Sequence, residues 1–254
     1  MQLANRMKMI TPFYVMELLR RAKQLEAVGH DIIHMEVGEP DFATPERITN
    51  AGLAYIKTGH VKYTPAAGLP ELRQKISEFY RHRYQVKVPI ERIFITPGAS
   101  GAFLLALGVS LNSGDEILLS DPCYPCNQNF IHLFDGRVKH IPVYAETAYQ
   151  LSANLLQQHW QAQTQGAVIA SPSNPTGTII QATELEKIVQ FVESKQGLLF
   201  SDEIYHGLVY EPGITSALEY SDQVFVINSF SKYFGMTGWR AGWVIVPEAY
   251  TEAI

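Results

Sequence analysis

Lys232 lies in the run Ser229-Phe230-Ser231-Lys232-Tyr233-Phe234-Gly235-Met236-Thr237-Gly238-Trp239-Arg240-Ala241-Gly242, which gathers an amine, two serine hydroxyls, a guanidinium and three glycines. An amine kept deprotonated by a neighbouring cation can form a Schiff base with an aldehyde. Hydroxyls beside an arginine fork suit a phosphate. Glycines let the backbone approach a ligand closely. An aldehyde and a phosphate on one small molecule describe pyridoxal 5′-phosphate.

Two further groups belong beside this run. Asn174 sits in Ser171-Pro172-Ser173-Asn174-Pro175-Thr176-Gly177, and Asp202 follows the apolar run Leu198–Ser201. Asn174, Asp202 and Lys232 succeed one another at intervals of about thirty residues, the length of a strand–helix–strand unit. Each has a plain reading by itself. An Asp after a strand forms a turn or caps a helix, a lone Lys is a solvated charge, and Asn-Pro-Thr-Gly is a turn signal. Turns alone do not explain why all three occur at matching strand ends.

The elements that must position them are legible as periodicity. Strands are expected at Ile93–Thr96, Glu116–Ser120, Val138–Val143, Ala167–Ala170, Leu198–Ser201, Val224–Asn228 and Trp243–Val246. Helices are expected at Pro12–Val28, Glu46–Lys57, Leu69–Tyr84, Gly101–Leu111, Asn127–Phe134 and Ala182–Ser194, with another from Pro247 onward. Leu185, Ile188, Val189 and Val192 mark one face at the helical period. Thr183 and Glu186 resemble a capping box. Such alternation predicts an α/β fold with a doubly wound, mostly parallel sheet and helices on both faces. In a parallel sheet the C-terminal strand ends share one crevice, where ligands bind.

The bulk numbers exclude other classes. The chain has 254 residues, 46% hydrophobic and 18% charged, and a net charge of −5. It can bury a core, and its acidity argues against nucleic-acid or anionic-membrane partners. The apolar stretch Ala102–Val109 is too short to span a bilayer, and no secretory signal is visible. The expected location is the cytoplasm. Cys123 and Cys126 could form a redox pair or half a zinc site, but two incidental loop thiols is the preferred reading and no metal is expected.

The motifs together resemble the class I/II aminotransferases, pyridoxal-phosphate enzymes of fold type I. The likeness rests on Ser-Phe-Ser-Lys232-x-x-Gly-x-x-Gly-x-Arg240-x-Gly, Asn174-Pro175-Thr176-Gly177, Asp202-Glu203-x-Tyr205, Gly38-Glu39-Pro40-Asp41-Phe42 and Tyr63-Thr64-Pro65-x-x-Gly68. It implies that Lys232 carries the cofactor and moves the substrate Cα proton, and that Asp202 pairs with the pyridine nitrogen. Tyr205 and Asn174 would bond the phenolic oxygen, and Tyr124 would stack on the ring. Gly98, Ala99 and Ser100 at a helix start, with Ser229 and Arg240, would hold the phosphate. Gly38 would lie near the substrate carboxylate, with Asn174 also on the substrate side. Tyr63 would reach the phosphate of a neighbouring subunit in a homodimer. Taken singly, Thr96–Gly101 is a strand-to-helix turn, Arg240 a surface ion pair, Tyr63 a buried aromatic and Gly38 a turn glycine.

The resemblance also implies a division into an N-terminal segment (1–45), a large cofactor-binding domain (46–254) and a small C-terminal domain absent from this chain. The small domain of such proteins carries an arginine for the substrate α-carboxylate, and no position here matches it. The expectation is therefore a fragment whose apolar surface is partly uncovered. The implied activity is amino-group transfer between an amino acid and a 2-oxo acid. A C–S lyase or synthase on the same scaffold, and a non-catalytic cofactor-binding module, are the alternatives.

Overall fold

Apolar residues follow one another along the central strands, and because successive side chains point to opposite faces, each strand has something to bury on both. In the computed structural model, which describes residues 2–210 and 213–254, the strands are β1 (Ile93–Thr96), β2 (Glu116–Asp121), β3 (Arg137–Pro142), β4 (Thr164–Ala170), β5 (Leu198–Asp202), β6 (Phe225–Ser229) and β7 (Gly242–Ile245). They form one sheet in the order β1-β7-β6-β5-β4-β2-β3. Neighbours from β6 through β3 pair in parallel, whereas β7 is antiparallel to both β1 and β6. The helices are α1 (Tyr14–Glu26), α2 (Glu46–Lys57), α3 (Pro70–Tyr84), α4 (Gly98–Ser110), α5 (Cys126–Leu133), α6 (Ala153–His159) and α7 (Ala182–Ser194).

Successive strand residues join different cores. Leu118, Ile169, Leu199, Val226 and Trp243 pack with Ile76 and Tyr80 of α3, Leu156 of α6 and Ile188 and Val192 of α7. Ile117, Leu119, Val168, Phe200, Ile227 and Val244 pack with Phe103 and Leu107 of α4 and Ile131 of α5. Full burial of each such side chain contributes about 1.5–3 kcal/mol. Strands buried on both faces read as near-continuous apolar runs, which is why they were legible in sequence. The expected α/β sheet with helices on both faces is the observed one.

Several boundaries differ from expectation. The segment after Pro247 makes a single 3₁₀ turn, Glu248–Tyr250, rather than a helix, and Tyr250 turns its ring onto Phe225 at 4.9 Å. Helix α4 begins at Gly98 instead of Gly101, so Gly98, Ala99 and Ser100 form its first turn. Thr183 does not cap α7, which starts at Ala182 after Gln181 without a side-chain cap. Helix α6 was not anticipated, although its Ser152 caps it by accepting from the Leu155 N–H at 3.1 Å.

Residues 2–67 contain no buried residue, and α1 and α2 bury none. The N-terminal segment nevertheless touches α5, where Arg6 Nη1 donates to the Leu133 carbonyl at 2.7 Å and Asn129 bonds Thr11. Among the described residues no helix is long and apolar enough to cross a membrane.

Candidate active site

Strand direction assembles the site. In the parallel ladder Ala170 pairs with Asp202, and Asp202 with Ile227, so the chain leaves β4, β5 and β6 side by side. Asn174 follows β4, Asp202 is the last residue of β5, and Lys232 comes just after Ser229, the last residue of β6. Strand β7 runs the other way, and its first residue Gly242 pairs with both Thr96 and Ser229. Arg240 and Ala241 therefore reach the edge that the other strands leave.

The amine is close to the groups expected around it. Lys232 Nζ donates to the Gly38 carbonyl at 2.5 Å and lies 6.0 Å from the Tyr205 ring centroid. Asn174 Nδ2 donates to the Tyr205 hydroxyl at 3.3 Å. Burial lowers the Lys232 pKa, with Arg240 acting in the same direction and Glu39 opposing. The amine is thus biased toward its nucleophilic form. Burial raises the Tyr205 pKa, helped by the nearby Asp202 carboxylate, so its hydroxyl stays protonated and able to donate.

Asp202 is 8% exposed. Its Oδ1 accepts from the Ile204 N–H at 3.1 Å, and burial pushes its pKa up to about 7. A buried carboxylate with so little support calls for a cationic N–H partner, which a protonated ring nitrogen supplies. Tyr124 is half-buried, within electrostatic reach of Asp202 and Tyr205, and meets Phe13 edge-on at 5.7 Å.

An anion cup lies at the same edge, where β7 meets β1 and β6. Gly98 has φ +70°, and a Cβ on it would stand 2.6 Å from Arg240 Nη2. Only glycine lets the guanidinium lie against the start of α4, where backbone N–H groups of the first turn lack helical partners. Arg240 Nη1 donates to the Thr237 carbonyl at 3.0 Å, and no carboxylate pairs with the guanidinium among the described residues. Ser229 Oγ donates to Ser231 Oγ (2.8 Å) or to the Ala241 carbonyl (3.0 Å), and it accepts from the Ser231 N–H at 3.0 Å. Ser231 thus supports Ser229. A guanidinium without a carboxylate, a glycine cradle and a helix start together fit a phosphate.

The structure does not bring Tyr63 to these groups: its side chain is fully exposed on the segment after α2. Gly38 has open space where a side chain would be. Cys123 and Cys126 are both free thiols, and burial pushes the Cys123 thiol up to about 11, which disfavours its thiolate. Glu203 stands in the quoted motif without a role, and His206, next after Tyr205, is not singled out by the sequence; both are buried.

The sequence pattern of the family described as "Aminotransferase class I and II" matches residues 30–254. The chain is 38% identical over 255 residues to (5-formylfuran-3-yl)methyl phosphate transaminase of Methanocaldococcus jannaschii, covering 99% of this chain and 66% of that protein. It is 37% identical over 247 residues to valine–pyruvate aminotransferase of Mycobacterium tuberculosis, covering 96% of this chain and 63% of the other. Among solved structures, aspartate aminotransferase from Thermus thermophilus with maleate superposes at a TM-score of 0.96 with 28% identity, over all of this chain and 66% of that one. The chain therefore spans just under two thirds of the relatives it matches.

Proposed function

The chain belongs to the class I and II aminotransferase family, and from that membership we propose that it binds pyridoxal 5′-phosphate and serves amino-group transfer between an amino acid and a 2-oxo acid. The single observation that carries this reading is the delivery of Asn174, Asp202 and Lys232 to one edge by three adjacent parallel strands, the edge that Arg240 and Gly98 also reach. The residues fit the cofactor on its three chemical handles: an amine for the aldehyde, a buried carboxylate for the ring nitrogen, and a glycine-lined cation for the phosphate.

When bound, the cofactor supplies an electron sink that makes the hydrogen on the substrate Cα acidic. The chain's own groups do the rest. Lys232 would hold the aldehyde carbon and, once released by an incoming amino acid, take up and return a proton at the substrate Cα. Its burial favours the neutral amine that this work requires. Asp202 would hold the proton on the ring nitrogen by pairing with it. Asn174 and Tyr205 would donate to the phenolic oxygen, and Tyr124 would cover a ring face. Gly98, Ala99, Ser100, Ser229 and Arg240 would hold the phosphate and so fix the reacting carbon relative to Lys232. Gly38 would leave room for the substrate carboxylate.

Residues 46–254 would serve as the cofactor-binding domain, with 1–45 as an N-terminal segment against it. The reading carries with it a homodimer in the cytoplasm. Its support is the exposure of Tyr63, Leu53 and Ile56 on and beside a helix that buries nothing of its own. Tyr63 would act in the partner's site.

Borohydride reduction of the protein with pyridoxal phosphate, followed by peptide mass mapping, tests the assignment. The label is expected on Lys232 and should vanish in Lys232→Ala. Labelling spread over other lysines with none at 232 overturns it. Release of pyruvate and ammonia without a 2-oxo-acid acceptor would favour the lyase alternative.

A further inference from the structure

Behind the groups that would touch the cofactor lies a buried cluster to which no role has been given. His206 is 3% exposed and follows Tyr205 directly. Its Nδ1 lies 2.7 Å from the hydroxyl of Tyr84, the last residue of α3, and 3.6 Å from Glu203 Oε2. The Ser171 carbonyl lies close enough to the imidazole to act on its charge, and Ser171 opens the loop that carries Asn174. Glu203, 1% exposed, ties the end of β5 to the next turn: its Oε1 accepts from Ser216 Oγ and the Ala217 N–H, both at 2.9 Å. The ionisable groups facing His206 are Tyr84 and Arg83 from α3 and Glu203 from the β5 end.

The protonation pattern follows from burial. The imidazole stays neutral because burial pushes its pKa down to about 3, and the Tyr84 phenol keeps its proton because burial raises its pKa. Tyr84 therefore donates to Nδ1, and the other ring nitrogen carries the proton that the Ser171 carbonyl can accept. One ring is thereby tied to helix α3, sits on the loop of Tyr205 and lies against the start of the loop of Asn174. The contact between those last two residues, 3.3 Å, is at the long end for an N–H···O bond, so a small displacement breaks it.

We propose that His206, braced by Tyr84, is a positioning residue that sets the approach of Tyr205 to Asn174 and thereby how strongly both donate to the cofactor's phenolic oxygen. The inference rests on the cofactor reading above. Donors at that oxygen draw off negative charge. When they loosen, the conjugated nitrogen joined to Lys232 becomes more basic, and the pH at which the bound cofactor changes colour moves up.

The experiment is a pH titration of the visible absorbance of the cofactor bound to the whole chain, alongside thermal unfolding, for Tyr84→Phe, His206→Phe and His206→Gln. The first two should raise the midpoint by about half a unit or more, a threefold or larger change in proton affinity. Glutamine can still accept from Tyr84 and donate to the Ser171 carbonyl, so His206→Gln should restore the wild-type midpoint. Wild-type midpoints in both Tyr84→Phe and His206→Phe, whatever happens to the melting temperature, overturn the proposal. If His206→Phe does not fold, Tyr84→Phe decides, since it deletes one hydroxyl and keeps the ring. A wild-type chain with no lysine-bound absorbance would overturn the cofactor reading, and this inference with it, before any variant is compared.

Discussion

The Arg240 guanidinium lies against Gly98, so close that a Cβ there would stand 2.6 Å from Nη2 and 3.1 Å from Cζ. The two residues come from opposite ends of the folded unit and meet because β7 is antiparallel to β1. Gly98→Ala should displace the guanidinium and strain a left-handed position by about 1–2 kcal/mol. Affinity for pyridoxal phosphate should fall by about tenfold or more, some 1.4 kcal/mol. An absorbance titration measures it.

Arg240→Ala separates the phosphate role from general damage. A charge-assisted hydrogen bond contributes about 1.5–3 kcal/mol, so pyridoxal phosphate should bind at least about tenfold more weakly. Pyridoxal, which lacks the phosphate, should bind as it does to the wild type. Equal losses for the two ligands would remove Arg240 from the phosphate site.

Three buried groups shape the pH dependence of stability in the cofactor-free chain. Asp202 is raised from 3.8 to about 7 and Glu203 from 4.5 to about 8, so between those limits the folded state binds more protons than the unfolded one. Stability falls there as pH rises. His206 is lowered from 6.5 to about 3 and acts oppositely, but only below pH 6.5. The clean window is therefore pH 6.5–8, where unfolding in urea should lose about 1–2 kcal/mol. Glu203→Gln should flatten that slope. A stability that rises across the window would show that these carboxyls are ionised in the fold.

Gly68, packed on Ile95 of β1, offers a separate stability test. It has φ +97°, and a Cβ there would collide with the Ile95 side chain of β1. Gly68→Ala should destabilise by about 2 kcal/mol or more from backbone strain and overpacking together. Thermal unfolding reads it. A change below half that size would mean that Ile95 yields freely.

The homodimer reading predicts that association depends on the outer face of α2. Leu53 and Ile56 there are 54% and 65% exposed. Sedimentation should show a dimer whose dissociation constant rises by about tenfold or more in Ile56→Asp, a loss of about 1.4 kcal/mol. Tyr63→Phe should leave association intact and weaken cofactor binding. A monomer at all concentrations, with cofactor still bound, would remove Tyr63 from the site.

Most elements were legible in the sequence by itself, α6 and the turn after Pro247 excepted, and so were the candidate site residues that those elements carry. Runs that must be buried on both faces cannot avoid reading as apolar strands, and Asn174, Asp202 and Lys232 recur at the spacing of strand–helix–strand units. Their convergence follows once those strands are parallel. The direction of β7 was not legible, because an apolar run buried on both faces looks the same whichever way it pairs. That direction decided that Arg240 meets Gly98. Likewise, Tyr84 and His206 stand 122 residues apart and touch only because α3 packs across the sheet. Local propensity carries no information about such a contact, since it arises from how two elements stack and not from what either would do alone.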